Sequence, residues 1–242
     1  MKTVAIMQPT YLPWLGYFDL MDQCDTFILL DSVQVDRRSW QQRNRIKTAQ
    51  GVLWLTVPMH SSGKRDQLIE AVEIDGSRGF PEKHLRTLEL SYRRARHYAR
   101  YADAFGAVLG GGHKRLAELN IALVSWFKQA LGIDTELARS SLMDADGHKT
   151  ERLVALCRAA GAERYLSPPG SRAYLDEGLF ARQGIEVAYH AYRHPEYVQL
   201  YGDFVPYLSV VDLLFNEGDN GLTIIRSGRG SAPSFASDGG AL

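Results

Sequence analysis

Apolar residues fall first into short unbroken runs and then, from Pro81 onward, into helical spacing. Val4–Met7 is a run closed by Gln8-Pro9, and Thr26–Leu30 is a second, β-rich run that stops at Asp31. Short apolar runs bounded by turn residues predict buried strands. Between them Pro9, Pro13 and Gly16 mark a loop or helix entry, and Tyr17–Asp22 fits a short helix. Strand, loop, helix, strand is the opening βαβ unit of a parallel sheet. A third run, Val52–Val57, ends at Pro58, and Ala71–Ile74 is a further candidate strand.

Pro81–Tyr92, His97–Leu109, Leu116–Leu131 and Lys149–Ala159 carry helical periodicity, punctuated by Gly132, Gly147 and Gly161. Arg164–Leu166 and Ile185–Tyr189 read as strands around a helix at Ala173–Gln183, and Phe204–Phe215 is helical with an apolar face. The pattern predicts an α/β fold with a mostly parallel, Rossmann-like sheet. Residues 1–226 form one domain with a helix-rich insertion at about 81–145, and 227–242 is a dispensable, disordered tail, too small and polar to bury a core.

Composition narrows the function. Lys+Arg and Asp+Glu balance at 28 each, so no global field steers the chain toward nucleic acid or a membrane surface. No apolar run approaches the roughly 20 residues that span a bilayer. Cys24 and Cys157 form neither a disulfide framework nor a Cys-x-x-Cys pair, which points to a reducing compartment, the cytoplasm. Both read as buried, inert thiols.

The densest polar cluster runs from Asp36 to Lys47, with five basic residues in the eleven from Arg37 to Lys47. Arg37, Arg43, Arg45 and Lys47, with Trp40 and Asn44 among them, suit a phosphate- or carboxylate-bearing ligand: guanidinium groups grip oxyanions bidentately, and an indole stacks on a base or sugar. A solvated loop laced with salt bridges is the plainer alternative. Gln8 and Asp31 each end a strand, the edge where open α/β sheets bind ligands, so Asp31 is a candidate base, hydroxyl anchor or cation ligand, or simply a turn cap. A second cluster holds Tyr192, His194, Tyr197 and Gln199. His194 precedes Pro195 in an extended loop and is the leading acid/base candidate, against the common case of a merely structural imidazole. Walker, dinucleotide-binding, His-Glu-x-x-His and Gly-x-Ser-x-Gly patterns are absent, as is zinc spacing, so no metal or bound cofactor is predicted.

The stretches IMQPTYLPWLGYF (6–18), DTFILLDSVQ (25–34), RRSWQQRNRIK (37–47), WLTVP (54–58), GHKTERL (147–153), RYLSPPGSRAYL (164–175) and AYRHPEYVQLYGDFVPYLSVVDLLFNEG (191–218) together resemble the WbqC-like family of bacterial proteins, collinearly. Ser167-Pro168-Pro169-Gly170 departs from that pattern, in which a glycine directly follows the serine. The resemblance implies a part in making decorated sugars or related metabolites. It points to transfer of an acyl or aminoacyl group from a carrier-bound phosphopantetheine thioester to an amine or hydroxyl of a nucleotide-linked sugar. An acyl carrier protein is then a partner, His194 or Asp31 the base, and Gln8, Tyr11 and Trp14 join the two clusters as substrate contacts. A nucleotidyl- or phosphate-handling transferase of HUP-like layout and a non-catalytic sugar-binding scaffold stand as alternatives.

Overall fold

The first two unbroken apolar runs become strands buried on both faces, whereas the third, Val52–Val57, becomes a largely exposed strand outside the main sheet. The computed structural model of the protein describes residues 1–36, 39–60 and 66–230, and the short strand Ser234–Phe235. In β1 (Thr3–Met7), Ala5 enters one hydrophobic cluster with Phe27 and Leu29. Val4 and Ile6 enter the other with Ile28, Tyr165 and Val187. Alternate residues supply two cores, which is why the strand reads as continuously apolar.

β1 pairs in parallel with β2 (Thr26–Leu29) on one side, in register from Val4↔Thr26 to Met7↔Leu29, and with β6 (Arg164–Ser167) on the other. β5 (Glu136–Arg139) lies beyond β2 and β7 (Glu186–Tyr189) beyond β6, while β8 (Ser234–Phe235) closes the far edge antiparallel to β7. Numbered by their appearance within the sheet, the five parallel strands among the described residues stand in the order 3-2-1-4-5. Helices α1 (Leu15–Asp22), α4 (Leu116–Leu131), α7 (Val210–Glu217) and α8 (Gly221–Ser227) pack on the Ala5 face. On the other face lie α5 (Thr150–Ala159) and α6 (Glu177–Ala181), whose Phe180 stacks flat on Tyr165 at 5.0 Å. The result is the expected α/β fold with a mostly parallel, Rossmann-like sheet, its helices lying on both faces.

The basic run from Arg43, which hydropathy leaves without an element, is strand β3 (Arg43–Thr48). It pairs with β4 (Gly51–Thr56) in a separate two-stranded antiparallel sheet outside the parallel one. Helices α2 (Glu82–Tyr92) and α3 (Tyr98–Leu109) follow. The expected insertion at 81–145 therefore divides. α4 is the crossover helix under the sheet, its Phe127 meeting Phe18 edge-on at 5.8 Å, and β5 is a sheet strand. At Ala71–Ile74 the chain makes a single helical turn, Ile69–Ala71, and then isolated bridges rather than a strand. The helix expected from Phe204 starts only at Val210, where Ser209 caps it by accepting from the Val211 N–H. Among the described residues, no helix is long and apolar enough to cross a membrane.

The stretch expected as a free tail begins packed. Gly230 N–H donates to the Ala191 carbonyl, and Arg229 Nε donates to Asp19 Oδ1 at 2.8 Å while its Nη2 bonds Asp22. Asp19 is fully buried and also meets His190 Nε2 at 2.7 Å. A buried carboxylate needs these donors, so dispensability does not extend to residues 227–230. Arg229→Ala is expected to cost about 1–3 kcal/mol, lowering the melting temperature by roughly 3–10 °C in thermal unfolding. Truncation at Ser227 should cost at least as much.

Candidate functional site

The chain leaves β1 toward β2 on one side and later fills β6 on the other, so the strand order reverses between β1 and β6. Crossover connections diverge there and leave a crevice at the carboxyl ends of the strands. In this protein the crevice is a cleft of about 400 Å³ between the end of β1 (Met7, Gln8, Thr10), Leu30 and the turn after β6 (Pro168, Ser171). That turn is the segment departing from the family pattern: a helical turn at Pro169–Ser171, fastened where Ser171 Oγ donates to the Pro168 carbonyl at 2.8 Å.

The amide of Gln8 is oriented by relay. The Asp36 N–H donates to Gln41 Oε1 at 3.0 Å, which turns Gln41 Nε2 to donate to Gln8 Oε1 at 2.7 Å. The NH2 group of Gln8, in the wall of the cleft, has no acceptor among the described residues.

Met7, Thr10 and Trp40 also line a second, largely apolar chamber of about 370 Å³, walled by Trp14, Tyr17, Asn44, Arg45 and Tyr207. The two spaces adjoin at Trp40, whose ring is 49% exposed. The Trp14 indole lies over the first turn of α1, in space that any Cβ at Gly16 would occupy: the nearest ring carbon is 2.2 Å from that position. Arg45 approaches the Trp40 and Trp54 rings at 5.9 and 5.8 Å, and Arg43 lies over Trp54 at 4.4 Å. These contacts hold cations on ring faces at the mouth.

His194 lies behind the second chamber. Its ring stacks near Trp14 at 6.3 Å and meets Tyr207 edge-on at 5.1 Å. Nδ1 bonds the Pro195 carbonyl at 2.9 Å, so Nδ1 carries the hydrogen and Nε2 the lone pair. Burial lowers the His194 pKa, against a smaller upward pull from the Pro195 carbonyl, and favours the neutral ring. Nε2 is buried without a partner, as are Arg45 Nε and Tyr192 Oη. Tyr192 meets Trp14 edge-on at 5.7 Å.

Gln8, Asp31 and Arg43 do not meet in one cleft. Gln8 lines the cleft, but Asp31 is fully buried behind it and Arg43 is stacked on Trp54. Asp31 accepts from Arg139 Nε at 2.9 Å, Ser140 Oγ at 3.0 Å, and the Ser141 N–H and Oγ at 2.9 and 2.8 Å. Burial alone would raise its pKa, but these donors outweigh it and hold the carboxyl below its ordinary value. A carboxylate with every lone pair engaged is a structural fastener, which corrects its candidacy as base.

Other candidates are also spent internally. Tyr11 is buried with its hydroxyl on His84 Nδ1 at 2.7 Å. Asn44 lines the chamber but uses its amide, donating to the Leu12 carbonyl at 2.6 Å and accepting from the Arg45 N–H. Lys47 is buried, its Nζ donating to Gln199 Oε1 and to the Gly202 and Asp203 carbonyls. Tyr197 donates to the buried Asp212 at 2.8 Å. Lys47, Tyr197 and Gln199 thus bind the 195–207 loop to the body rather than a ligand. Arg37 lies outside the described residues. Burial pushes the Cys24 thiol up and that of Cys157 up to about 12, so both are unreactive protonated thiols. Among the described residues no cluster of three or more His, Cys, Asp or Glu side chains could hold a metal.

Sequence reasoning missed Thr10, Ser171 and Tyr207. Ser171 follows the carboxyl end of β6, and the strand-end rule that singled out Gln8 could have found it. Tyr207 carried no local signal beyond lying in a motif.

Residues 8–224 match the WbqC-like protein family. The chain is 43% identical over 220 residues to an uncharacterized protein of Mycobacterium tuberculosis, covering 90% of this chain and 95% of the relative. No solved structure matches it significantly.

The contact between Trp14 and Gly16 can be tested alone. Gly16→Ala improves helix propensity by up to about 1 kcal/mol, yet it forces Trp14 off the helix, a clash costing about 1–3 kcal/mol. The net expectation is a lower melting temperature and an altered near-UV spectrum. In a Trp14→Ala background the same change should be neutral or stabilising, and a double-mutant cycle reads the difference.

Proposed function

The chain belongs to the WbqC-like protein family, and from that membership and the cleft geometry we propose that it transfers an acyl or aminoacyl group from a carrier-bound thioester to an amine or hydroxyl of a nucleotide-linked sugar. The observation that carries this reading is the pairing of a polar cleft at the strand-order reversal with an aromatic chamber beside it. The cleft offers the Gln8 NH2 to sugar hydroxyls. Trp40, at the junction, offers a stacking face, and Arg45, with Arg43 outside on Trp54, offers cationic charge for phosphate.

In the proposed step, the acceptor nitrogen or oxygen attacks the thioester carbonyl carbon while His194 Nε2 takes its proton. The tetrahedral oxyanion collapses, the C–S bond breaks, and the leaving thiolate recovers the proton from the imidazolium. A neutral imidazole with a fixed Nδ1–H and a free Nε2 is in the state this step requires. Because Nε2 is sealed from solvent, the half-exposed Tyr207 ring must turn aside for substrate to reach it.

The strand order supports a second reading. A 3-2-1-4-5 parallel sheet is the nucleotide-binding arrangement of doubly wound folds, and a phosphate-handling transferase of HUP-like layout would use the same cleft. The β1 exit, Gln8-Pro9-Thr10, lacks the glycine-rich phosphate turn of such enzymes.

A panel of nucleotide sugars, acyl-carrier thioesters and ATP separates the readings. A ligand at 100 times its Kd adds about 2.7 kcal/mol to stability, and Trp40→Ala should abolish that gain for nucleotide sugars. With a productive pair, His194→Ala should lower turnover by roughly 10²–10⁴-fold with acceptor affinity unchanged. Because the pKa of His194 is lowered, wild-type turnover should stay level through neutral pH and fall only in acid, below the usual imidazole range of about 6.5, as the base protonates. Near-normal turnover in folded His194→Ala removes the proposed base. Stabilisation by ATP with phosphate release favours the second reading, and sugar binding without turnover of any pair leaves a scaffold.

A further inference from the structure

On the far side of the β1–α1 loop lies a separate pocket of about 470 Å³, between the end of β4 and the start of α2, sharing no lining residue with the cleft or its chamber. Its charged lining is cationic, Arg78 and Lys83, with His84 beside them and no carboxylate. Phe80 and Met59 give it an apolar wall.

Both cations are positioned. Arg78 Nε pairs with Asp75 at 3.1 Å, outside the lining, which steers the guanidinium and leaves its Nη edge free. Lys83 reaches back over the turn so that Nζ donates to the Arg78 carbonyl at 2.8 Å, with two N–H bonds unspent. The turn permits this because residue 79 is glycine. Its φ is +73°, and a Cβ there would sit 3.1 Å from Lys83 Cε. His84 is held between Tyr11 and the Thr56 backbone, with Phe80 edge-on at 5.1 Å, so the apolar side is braced as well.

We propose that this pocket is a binding site for a small organic phosphate. Two cations lining one pocket, with no carboxylate among its described lining residues, match a dianion, with Arg78 presenting its planar edge and Lys83 a point charge. The volume exceeds that of bare phosphate, and the Phe80–Met59 wall fits a planar or aliphatic body attached to it. His84 also ties the pocket to the cleft loop through Tyr11, whose neighbour Thr10 lines the cleft.

Phenyl phosphate tests the assignment, with phenol as the uncharged comparator, in titrations of ¹⁵N-labelled protein. The amides of Gly79 and Lys83 should shift on adding phenyl phosphate and stay in place with phenol. Arg78→Ala/Lys83→Ala, two surface changes remote from the core, should weaken binding by about tenfold or more. Trp40→Ala should bind as wild type does, which separates this site from the cleft whatever becomes of the transfer reaction. The proposal is overturned if phenyl phosphate does not bind, if phenol binds equally well, if the double variant binds normally, or if binding is lost in Trp40→Ala.

Discussion

The loop from Gln8 to Trp14 must turn off the carboxyl edge of the sheet with no regular ladder of its own, and its carbonyls must still find donors. Four elements supply donors. Tyr17 of α1 reaches the Gln8 carbonyl at 3.3 Å, and Asn120 of α4 donates to the Pro9 carbonyl at 3.1 Å and to that of Gln41 at 2.7 Å. Asn44 of β3 takes the Leu12 carbonyl, and the Val210 N–H opening α7 takes that of Pro13 at 2.8 Å. A fully buried Asn120 that joins the Pro9 carbonyl of this loop to the Gln41 carbonyl ties α4 to the underside of the site rather than leaving it in a detached insertion. The same bonds clamp the β3–β4 hairpin and α7 against the loop. Both walls of the chamber, and therefore the site, follow from how this one loop is satisfied.

The buried carboxylates divide the remaining labour. Asp31 is ionised and held by its four donors, while Asp19 gathers Gln23, His190 and Arg229. Asp212, between the Tyr92 and Tyr197 hydroxyls, has its pKa raised by burial to about 6, against those two hydroxyls and Lys47. A raised carboxylate contributes stability below its unfolded value, near 4, and loses that contribution as pH rises through about 6. Asp212 therefore favours the folded chain more in mild acid than at neutrality, while the Tyr92 and Tyr197 hydroxyls and Lys47 favour its ionised form. Lys47 limits the loss because its ammonium is tied to the 195–207 loop.

Sequence periodicity reported the parallel core faithfully wherever a strand was buried on both faces, as in Val4–Met7, Thr26–Leu30 and Ile185–Tyr189. It failed where burial was one-sided. β5, Glu-Leu-Ala-Arg, is a four-residue edge strand with charged ends, too short for alternation to register. In β3 the inward positions are Asn44 and Ile46, so a buried amide stands where hydropathy looks for an apolar residue. Of the candidate site, Gln8, Trp40 and Arg45 were legible because strand ends and aromatic-basic mixtures mark ligand edges, and Trp14 only through the family resemblance. Asp31, Lys47, Tyr197 and Gln199 were not separable from them, because a polar side chain looks the same in sequence whether it faces a ligand or a backbone carbonyl.

What separates them is whether hydrogen-bonding capacity is already used. Native folds leave few buried polar atoms unpaired, and each such atom forfeits about 1–3 kcal/mol. Among the described residues five side-chain atoms are in this state, and three of them, Arg45 Nε, Tyr192 Oη and His194 Nε2, belong to residues that contact Trp14 or share its chamber. Two are donors by nature or by choice of hydroxyl rotor, and one, the His194 nitrogen, is an acceptor, so the surroundings of Trp14 hold both kinds of partner. An amine or hydroxyl acceptor entering beside Trp14 would meet both. The energy recovered in pairing those atoms would offset the displacement of Tyr207, so the proposed acceptor would favour the open chamber over the closed one.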